Sequence, residues 1–181
     1  MTTGEPRPTA RVTRARVALA ATAALLAALD LGLKAWASTA LADGTSVDLG
    51  VIQLRLTFNP GVAFSLGDTL PSGVVLGVTG LIVAGLAIFA WRTARTATLP
   101  IRLGLAAVLA GAIANLADRA ADGVVTDYLH TGWFPTFNLA DVLITLGGTA
   151  LILASLRATD TTTTNEAAAP ADRTNTSKKG P

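Results

Sequence analysis

Along this chain long apolar stretches alternate with short polar ones, and four of the apolar stretches are long enough to cross a membrane. Val17 to Ala37 is apolar apart from Thr22 until Asp30 and Lys34 enter its second half. Ser72 to Trp91 carries no charge, and as a helix it reaches roughly 30 Å, the thickness of a bilayer core. Pro100 to Ala117 reads as a third span, with Pro100 at a helix start, where its missing N–H costs little. Arg102 lies close enough to that end to snorkel. Leu139 to Leu156 is a fourth, with Asp141 near its start. The pattern predicts an all-α membrane protein, with four transmembrane helices at about 17–37, 72–91, 100–117 and 139–156 inside a domain of residues 17–157.

The pieces between the spans have other periods. Ile52, Leu54, Leu56 and Phe58 alternate with Gln53, Arg55 and Thr57, the signature of a half-buried strand. Val47, Leu49 and Val51 alternate in the opposite phase, which places a bulge or a turn between two short strands near Gly50. Asp122 to Thr136 reads as a loop whose Trp133, Phe134 and Pro135 suit a membrane interface. Residues 1–16 read as a cytoplasmic N-terminal segment. Residues 158–181, rich in Thr, Ala, Asn and Lys, read as a disordered cytoplasmic tail.

Composition narrows the class. Of 181 residues 51% are hydrophobic and only 14% charged, where a soluble domain has about a quarter charged. An ordinary soluble domain and a disordered chain are both excluded. The chain has no cysteine, which removes disulfide scaffolds, Cys-ligated zinc, iron–sulfur clusters and thiol nucleophiles. A net charge of +2 gives little footing for nucleic acid, and none is expected as a partner.

Charge placement says more than its sum. Arg7, Arg11, Arg14 and Arg16 precede the first span, Arg92, Arg95 and Arg102 fall between the second and third, and Arg157, Arg173, Lys178 and Lys179 follow the fourth. Segments 42–71 and 118–138 hold only Arg55 and Arg119 as bases. The positive-inside rule then puts both termini in the cytoplasm. The external segments and the start of the fourth span collect Asp43, Asp48, Asp68, Asp118, Asp122, Asp127 and Asp141. A competing reading takes the N-terminus for a secretory signal with a cleavage site at Ala40-Leu41-Ala42. Asp30 and Lys34 count against it, and cleavage would leave three spans.

Two polar clusters carry the candidate chemistry. Asn115-Leu116-Ala117-Asp118-Arg119 closes the third span and Asn138-Leu139-Ala140-Asp141 opens the fourth. In antiparallel neighbours both carboxylates sit at one depth, and each Asn, three residues before its Asp, shares a helix face with it. Two close carboxylates in a poorly solvated site share a proton, which supplies a base for water and an acid for a carbonyl oxygen. The alternative is structural: Asp118 paired with Arg119, and Asp141 favoured by the helix dipole. Asp30 and Lys34, at i and i+4, read as a structural intramembrane pair, with a proton or ion path as the other option. Asn59-Pro60-Gly61 supplies turn residues ahead of the second span. The single histidine, His130, leaves no two-histidine metal site, and the glycines, scattered through apolar spans, suit close helix packing.

Five blocks together resemble a known family. They are Asp30-Leu31-Gly32-Leu33-Lys34; Asn59-Pro60-Gly61-Val62-Ala63-Phe64-Ser65; Gly111-Ala112-Ile113-Ala114-Asn115-Leu116-Ala117-Asp118-Arg119; Val125-Thr126-Asp127-Tyr128; and Phe137-Asn138-Leu139-Ala140-Asp141. In this order on a four-span chain they resemble the lipoprotein signal peptidases, or signal peptidase II, of bacterial inner membranes. The resemblance implies an aspartic endopeptidase, without metal or cofactor, that removes signal peptides from prolipoproteins just before a diacylglyceryl-modified cysteine. It implies a catalytic pair at Asp118 and Asp141, and substrate-binding or supporting roles for Asn59, Gly61, Asn115, Arg119 and Asn138. It also implies a small extracytoplasmic β-cradle and loop over a site near the outer face. Partners are then the lipid-modified substrate and membrane lipid, and the enzyme is expected to be a monomer. Val62, Ala114 and Tyr128 depart from the family's usual Ala, Gly and Phe, which bears on local packing. The other class that fits is a small carrier whose Asp30, Lys34 and outer aspartates handle ions; such proteins place key charges near the midplane and often show repeat symmetry.

Overall fold

The computed structural model describes residues 8–60 and 71–167, with the backbone alone for Pro8 and 158–167. Gly61, with the rest of 61–70, lies outside the described residues, as do 1–7 and 168–181. The elements run α1 (Pro8–Ala40), β1 (Ser46–Asp48), β2 (Gln53–Asn59), α2 (Ser72–Thr93), α3 (Leu99–Asp122), β3 (Val125–His130) and α4 (Leu139–Ala167). All four helices are long and apolar enough to cross a membrane, and the four predicted spans lie within them.

Three helix ends differ from the apolar runs. The α1 helix starts at Pro8, well before Val17, and with 33 residues it is about 50 Å long. The α3 helix continues past Ala117, so Asp118 and Arg119 are helical. It stops where Gly123, at φ 75°, caps it in the left-handed conformation, its N–H donating to the Arg119 carbonyl. The backbone of α4 runs on to Ala167, ten residues into the segment read from composition as a disordered tail. Thr, Ala and Asp tolerate a helix once a long apolar span has nucleated it.

Helix α3 is the centre of the bundle, packed chiefly on α4, then on α1 and α2. Its buried side is made mostly of small residues, with Leu105 and Leu109 among them. Leu105, Ala106, Leu109, Ala110 and Ala114 meet Leu19, Ala23 and Ala27 of α1, Val83 and Ala90 of α2 and Ala140 of α4. At Gly104 an added Cβ would lie 3.1 Å from the Gly147 carbonyl oxygen, and at Gly111 it would collide with the Ala140 carbonyl oxygen. Close backbone approach of this kind is how helices associate where lipid removes the hydrophobic drive. Outward-facing Leu25, Leu81, Ile82, Phe89 and Ile152 are exposed, as expected of helices whose solvent is lipid.

The three strands form one antiparallel sheet in the order β1-β2-β3. The change of phase near Gly50 is a turn: Gly50 has φ 92°, and Leu49 N–H donates to the Ile52 carbonyl. Leu54 and Leu56 pack with Leu129 against Ala37, Leu41 and Tyr128, which seats the sheet on one end of α1. Alternation places Phe58 on that face too, yet it is 55% exposed. The register between β2 and β3 shifts between Leu54 and Thr57, and an extra residue in one strand turns the residues beyond it to the other face. The third strand corrects the reading of 122–136 as a loop. Val125 to Tyr128 are buried in succession, so no alternation marks them.

At the opposite end of the bundle Arg16 ties α1 to α2. Arg16 Nε donates to the Trp91 carbonyl oxygen at 3.2 Å, and its guanidinium carbon lies 4.7 Å from the centre of the Trp91 ring. Arg16 thereby meets a carbonyl in the last turn of α2, where a positive charge is favoured.

Candidate active site

At the sheet end, side chains from α1, β2, α3, β3 and α4 converge on one polar network. The start of α4 is fixed first. Asp141 N–H donates to Asn138 Oδ1 at 3.0 Å and Asn138 N–H donates to Asp141 Oδ2 at 3.2 Å. This is a reciprocal capping box, so the Asn-x-x-Asp spacing orients the Asp141 carboxylate by satisfying two otherwise orphaned donors. Asp30, fully buried, accepts from the next free donor, Ala140 N–H, at 2.8 Å. Tyr128 Oη accepts from Leu139 N–H.

The two asparagines then distribute the carboxylates. Asn115 Nδ2 donates to Asp141 Oδ1 at 3.1 Å. Asn138 Nδ2 donates to Asp127 Oδ1 at 2.7 Å, with longer contacts to Asn115 Oδ1 and the Thr126 carbonyl. Asn59, at the end of β2, donates to Asp127 Oδ2 at 3.4 Å. Arg119 Nη1 donates to the Asn115 carbonyl, and its charge acts on Asp141, Asp127 and Asp118.

Asp118 is held elsewhere. Its Oδ2 meets Lys34 Nζ at 3.0 Å and accepts from Thr126 N–H at 3.0 Å. Lys34 also pairs with Asp30 at 2.9 Å, so the i, i+4 pairing expected within α1 is present and extends to a second carboxylate. Asp118 is thus joined to α1 and to the start of β3.

A cavity of about 700 Å³ opens beside this network. Asp127, Asp141, Asn115, Arg119 and Asn59 line it together with Val142, Ile144, Thr145 and Leu146 of α4. The loop from Thr131 to Phe137 covers another side, with Trp133 edge-on to Phe134 and Phe134 edge-on to Phe137. At the base of the loop, Arg55 reaches Thr136 Oγ1 and His130 Nδ1. Asp118 is not among the cavity's lining side chains. Asp127 shares the wall with Asp141, and it is a residue that helix-face spacing passes over because it lies on a strand.

Asp127 is electrostatically unlike an ordinary surface carboxylate. It is 2% exposed, and burial, followed by the negative charge of Asp141, pushes its carboxyl up from 3.8 to about 6. Hydrogen bonds from Asn138 and Asn59 and the Lys34 charge pull the other way without prevailing. The Tyr128 phenol is pushed up to about 12, mainly by burial, and stays neutral behind the site. Among the described residues no group of three or more His, Asp or Glu is placed to hold a metal ion. The arrangement places two carboxyl groups, Asp127 and Asp141, among the residues that line one largely apolar cavity.

Comparison with known proteins agrees with this architecture. Residues 22–157 match the family model for signal peptidase (SPase) II. Lipoprotein signal peptidases of Brucella ovis and Brucella canis are each 37% identical over 130 residues, covering 69% of this chain and 81% of theirs. Two in meso structures of a bacterial membrane enzyme share the fold with TM-scores of 0.68 and 0.66 at 24% identity. They cover 78% and 77% of this chain and 89% and 92% of their own. A multi-pass membrane protein with bacterial relatives, four apolar helices and a small antiparallel sheet at one end, this chain belongs to the signal peptidase II family of proteases.

Proposed function

We propose that the chain is an aspartic endopeptidase that removes signal peptides from diacylglyceryl-modified prolipoproteins, and that its catalytic pair is Asp127 and Asp141. The observation that carries this reading is the shared cavity wall, where the charge of Asp141 raises the Asp127 carboxyl. This pair is proposed in place of the Asp118–Asp141 pairing expected from spacing and from the family resemblance. Asp118 is committed to Lys34 and to Thr126 N–H, and a carboxylate so neutralised is a poor base and a poor acid.

The mechanism is set by where the proton sits. Asp141, at the N-terminus of α4 and near Arg119, where negative charge is favoured, is the base. It takes a proton from a water molecule as the oxygen attacks the scissile carbonyl, and Asp127 gives its proton to the carbonyl oxygen. The resulting gem-diol collapses when Asp127 regains a proton from one hydroxyl and Asp141 gives its proton to the leaving amine. The C–N bond breaks, and both carboxyl groups return to their starting states. No group on the enzyme forms a covalent bond with the substrate.

The apolar face of α4 and the aromatic loop suit a substrate that is both a signal helix and a lipid, entering sideways from the bilayer. In this reading the cut is made just before the lipidated cysteine. The sheet end faces outward and the basic termini lie in the cytoplasm. Asn59, Asn115, Arg119 and Asn138 hold the pair or the peptide. The test is prolipoprotein processing in membranes by Asp118→Asn, Asp127→Asn and Asp141→Asn proteins of confirmed insertion. Loss of cutting in the last two is expected; wild-type cutting by Asp127→Asn overturns the proposed pair.

A further inference from the structure

Lys34 is a buried cation that the proposed chemistry leaves unused. It is 2% exposed, and its ammonium meets three acceptors: Asn115 Oδ1 at 2.7 Å, Asp30 Oδ2 at 2.9 Å and Asp118 Oδ2 at 3.0 Å. An ammonium has three protons and no acceptor, and three oxygens lie within 3.0 Å of it, one from each of Asn115, Asp30 and Asp118. A pair meant only to make α1 tolerable in lipid needs Asp30 alone. The shortest of the three contacts goes instead to a side chain that touches Asp141.

That contact decides which way the Asn115 amide points. Its oxygen accepts from Lys34 and, at 3.3 Å, from Asn138 Nδ2, while its nitrogen donates to Asp141 Oδ1 at 3.1 Å. Turning the amide over would set its NH2 against an ammonium and a second NH2, and its oxygen against a carboxylate. Only one orientation is compatible with its neighbours. Asp30 adds a second strap, since the carboxylate that pairs with Lys34 also accepts from Ala140 N–H in the first turn of α4.

Resting on the peptidase reading above, we propose that Lys34 is a positioning residue of the active site. It locks the Asn115 amide with its N–H toward Asp141 and so fixes that carboxylate against the attacking water. Asp30 and Asp118 hold the ammonium from α1 and α3, so a position one helix away from the cavity sets the angle of the reacting carboxylate. The effect belongs to turnover more than to substrate affinity, because Lys34 does not line the cavity.

The chain has no cysteine, which permits a single-site replacement. Lys34→Cys protein is alkylated while unfolded, with an S-aminoethyl group that nearly reproduces lysine or an S-propyl group of equal length without a donor, and is then refolded into lipid. Both are assayed on a diacylglyceryl-modified prolipoprotein, with turnover corrected for the folded fraction. The aminoethyl protein is expected within about threefold of wild-type kcat, and the propyl protein at least about tenfold lower, with KM changed by less than about twofold. In an Asn115→Ala background the difference between the two is expected to vanish. Equal kcat in the two alkylated proteins, or a difference confined to KM or to the folded fraction, overturns the role of Lys34. Absence of cleavage by the wild type counts against the peptidase reading itself, so the two failures are distinguishable.

Discussion

The two ends of the helix bundle are tied by charge in opposite ways. At one end Arg16 reaches the last turn of α2 and the face of Trp91, with both side chains partly open to their surroundings. At the other, Asp30, Lys34, Asn138 and Asp127 are each 2% exposed or less, and they are held by ion pairs and hydrogen bonds to protein groups of the same network. Where water or headgroups stand ready to replace a partner, a lost contact is cheap. Where nothing does, deleting one member leaves a buried charge or amide unsatisfied, at about 3–5 kcal/mol for a broken buried pair. The chemistry sits at the end where replacement is impossible, which keeps the reacting groups in one arrangement.

The largest effect expected from this contrast is at the pair itself. Asp127→Asn and Asp141→Asn should each lower turnover by about a thousandfold or more, within the range of lost acid or base catalysis. Asp118→Asn should lower the melting temperature yet keep turnover per folded molecule at least about a hundredfold above Asp127→Asn, because the new amide oxygen still accepts from Thr126 N–H. Purified proteins compared by cleavage and by thermal unfolding would separate these outcomes, and equal inactivity in all three with intact folding would erase the distinction between Asp118 and Asp127.

Next comes the junction of α3 and α4. Gly111→Leu pushes a side chain into the Ala140 carbonyl oxygen, at about 1–3 kcal/mol or more. Displacing the first turn of α4 by an ångström should lower kcat by roughly a hundredfold. Gly73, where an added Cβ meets nothing within 4 Å, is the control: Gly73→Leu should leave both measurements near wild type.

Acidity gives a smaller, graded effect. Since the Asp127 carboxyl is raised from 3.8 to about 6, its protonated form is favoured by the folded state. The stability this confers is complete below about pH 3.8, shrinks between there and about 6, and is absent above. Denaturant titrations at several pH values should show a loss on the order of 3 kcal/mol across that window, missing in Asp127→Asn. In the wild type kcat/KM should fall above about pH 6, by up to about tenfold per unit, with the profile assigned to the coupled pair. The smallest effect is at the far end. Arg16→Ala should cost only about 0.5–1 kcal/mol and leave turnover per folded molecule unchanged.

Legibility in the sequence divides along the same line. The spans are readable because lipid demands unbroken apolar runs, and Asp141 because an Asn three residues before an Asp at a helix start is a local capping signal. Asp127 is not readable by spacing, since β3 is buried over Val125 to Tyr128 and gives no period. Its traces are its place among the external aspartates and the block Val125-Thr126-Asp127-Tyr128, a carboxylate among residues that form strands. The junction of Lys34 with Asp118 joins α1 to its neighbour α3 between residues far apart in sequence, and no periodicity within one helix encodes such a pairing. Phe58 is misplaced by alternation because a bulge leaves the order of residue types intact while turning the backbone.

The capping box at the start of α4 makes one residue both the terminus of a helix and a reacting group. Exposed helix ends fray before cores melt, but this end is buried and strapped to α1 through Asp30 and to β3 through Tyr128. Asp141 is therefore released only when the bundle itself opens, and on warming the loss of cleavage should coincide with the loss of helical signal.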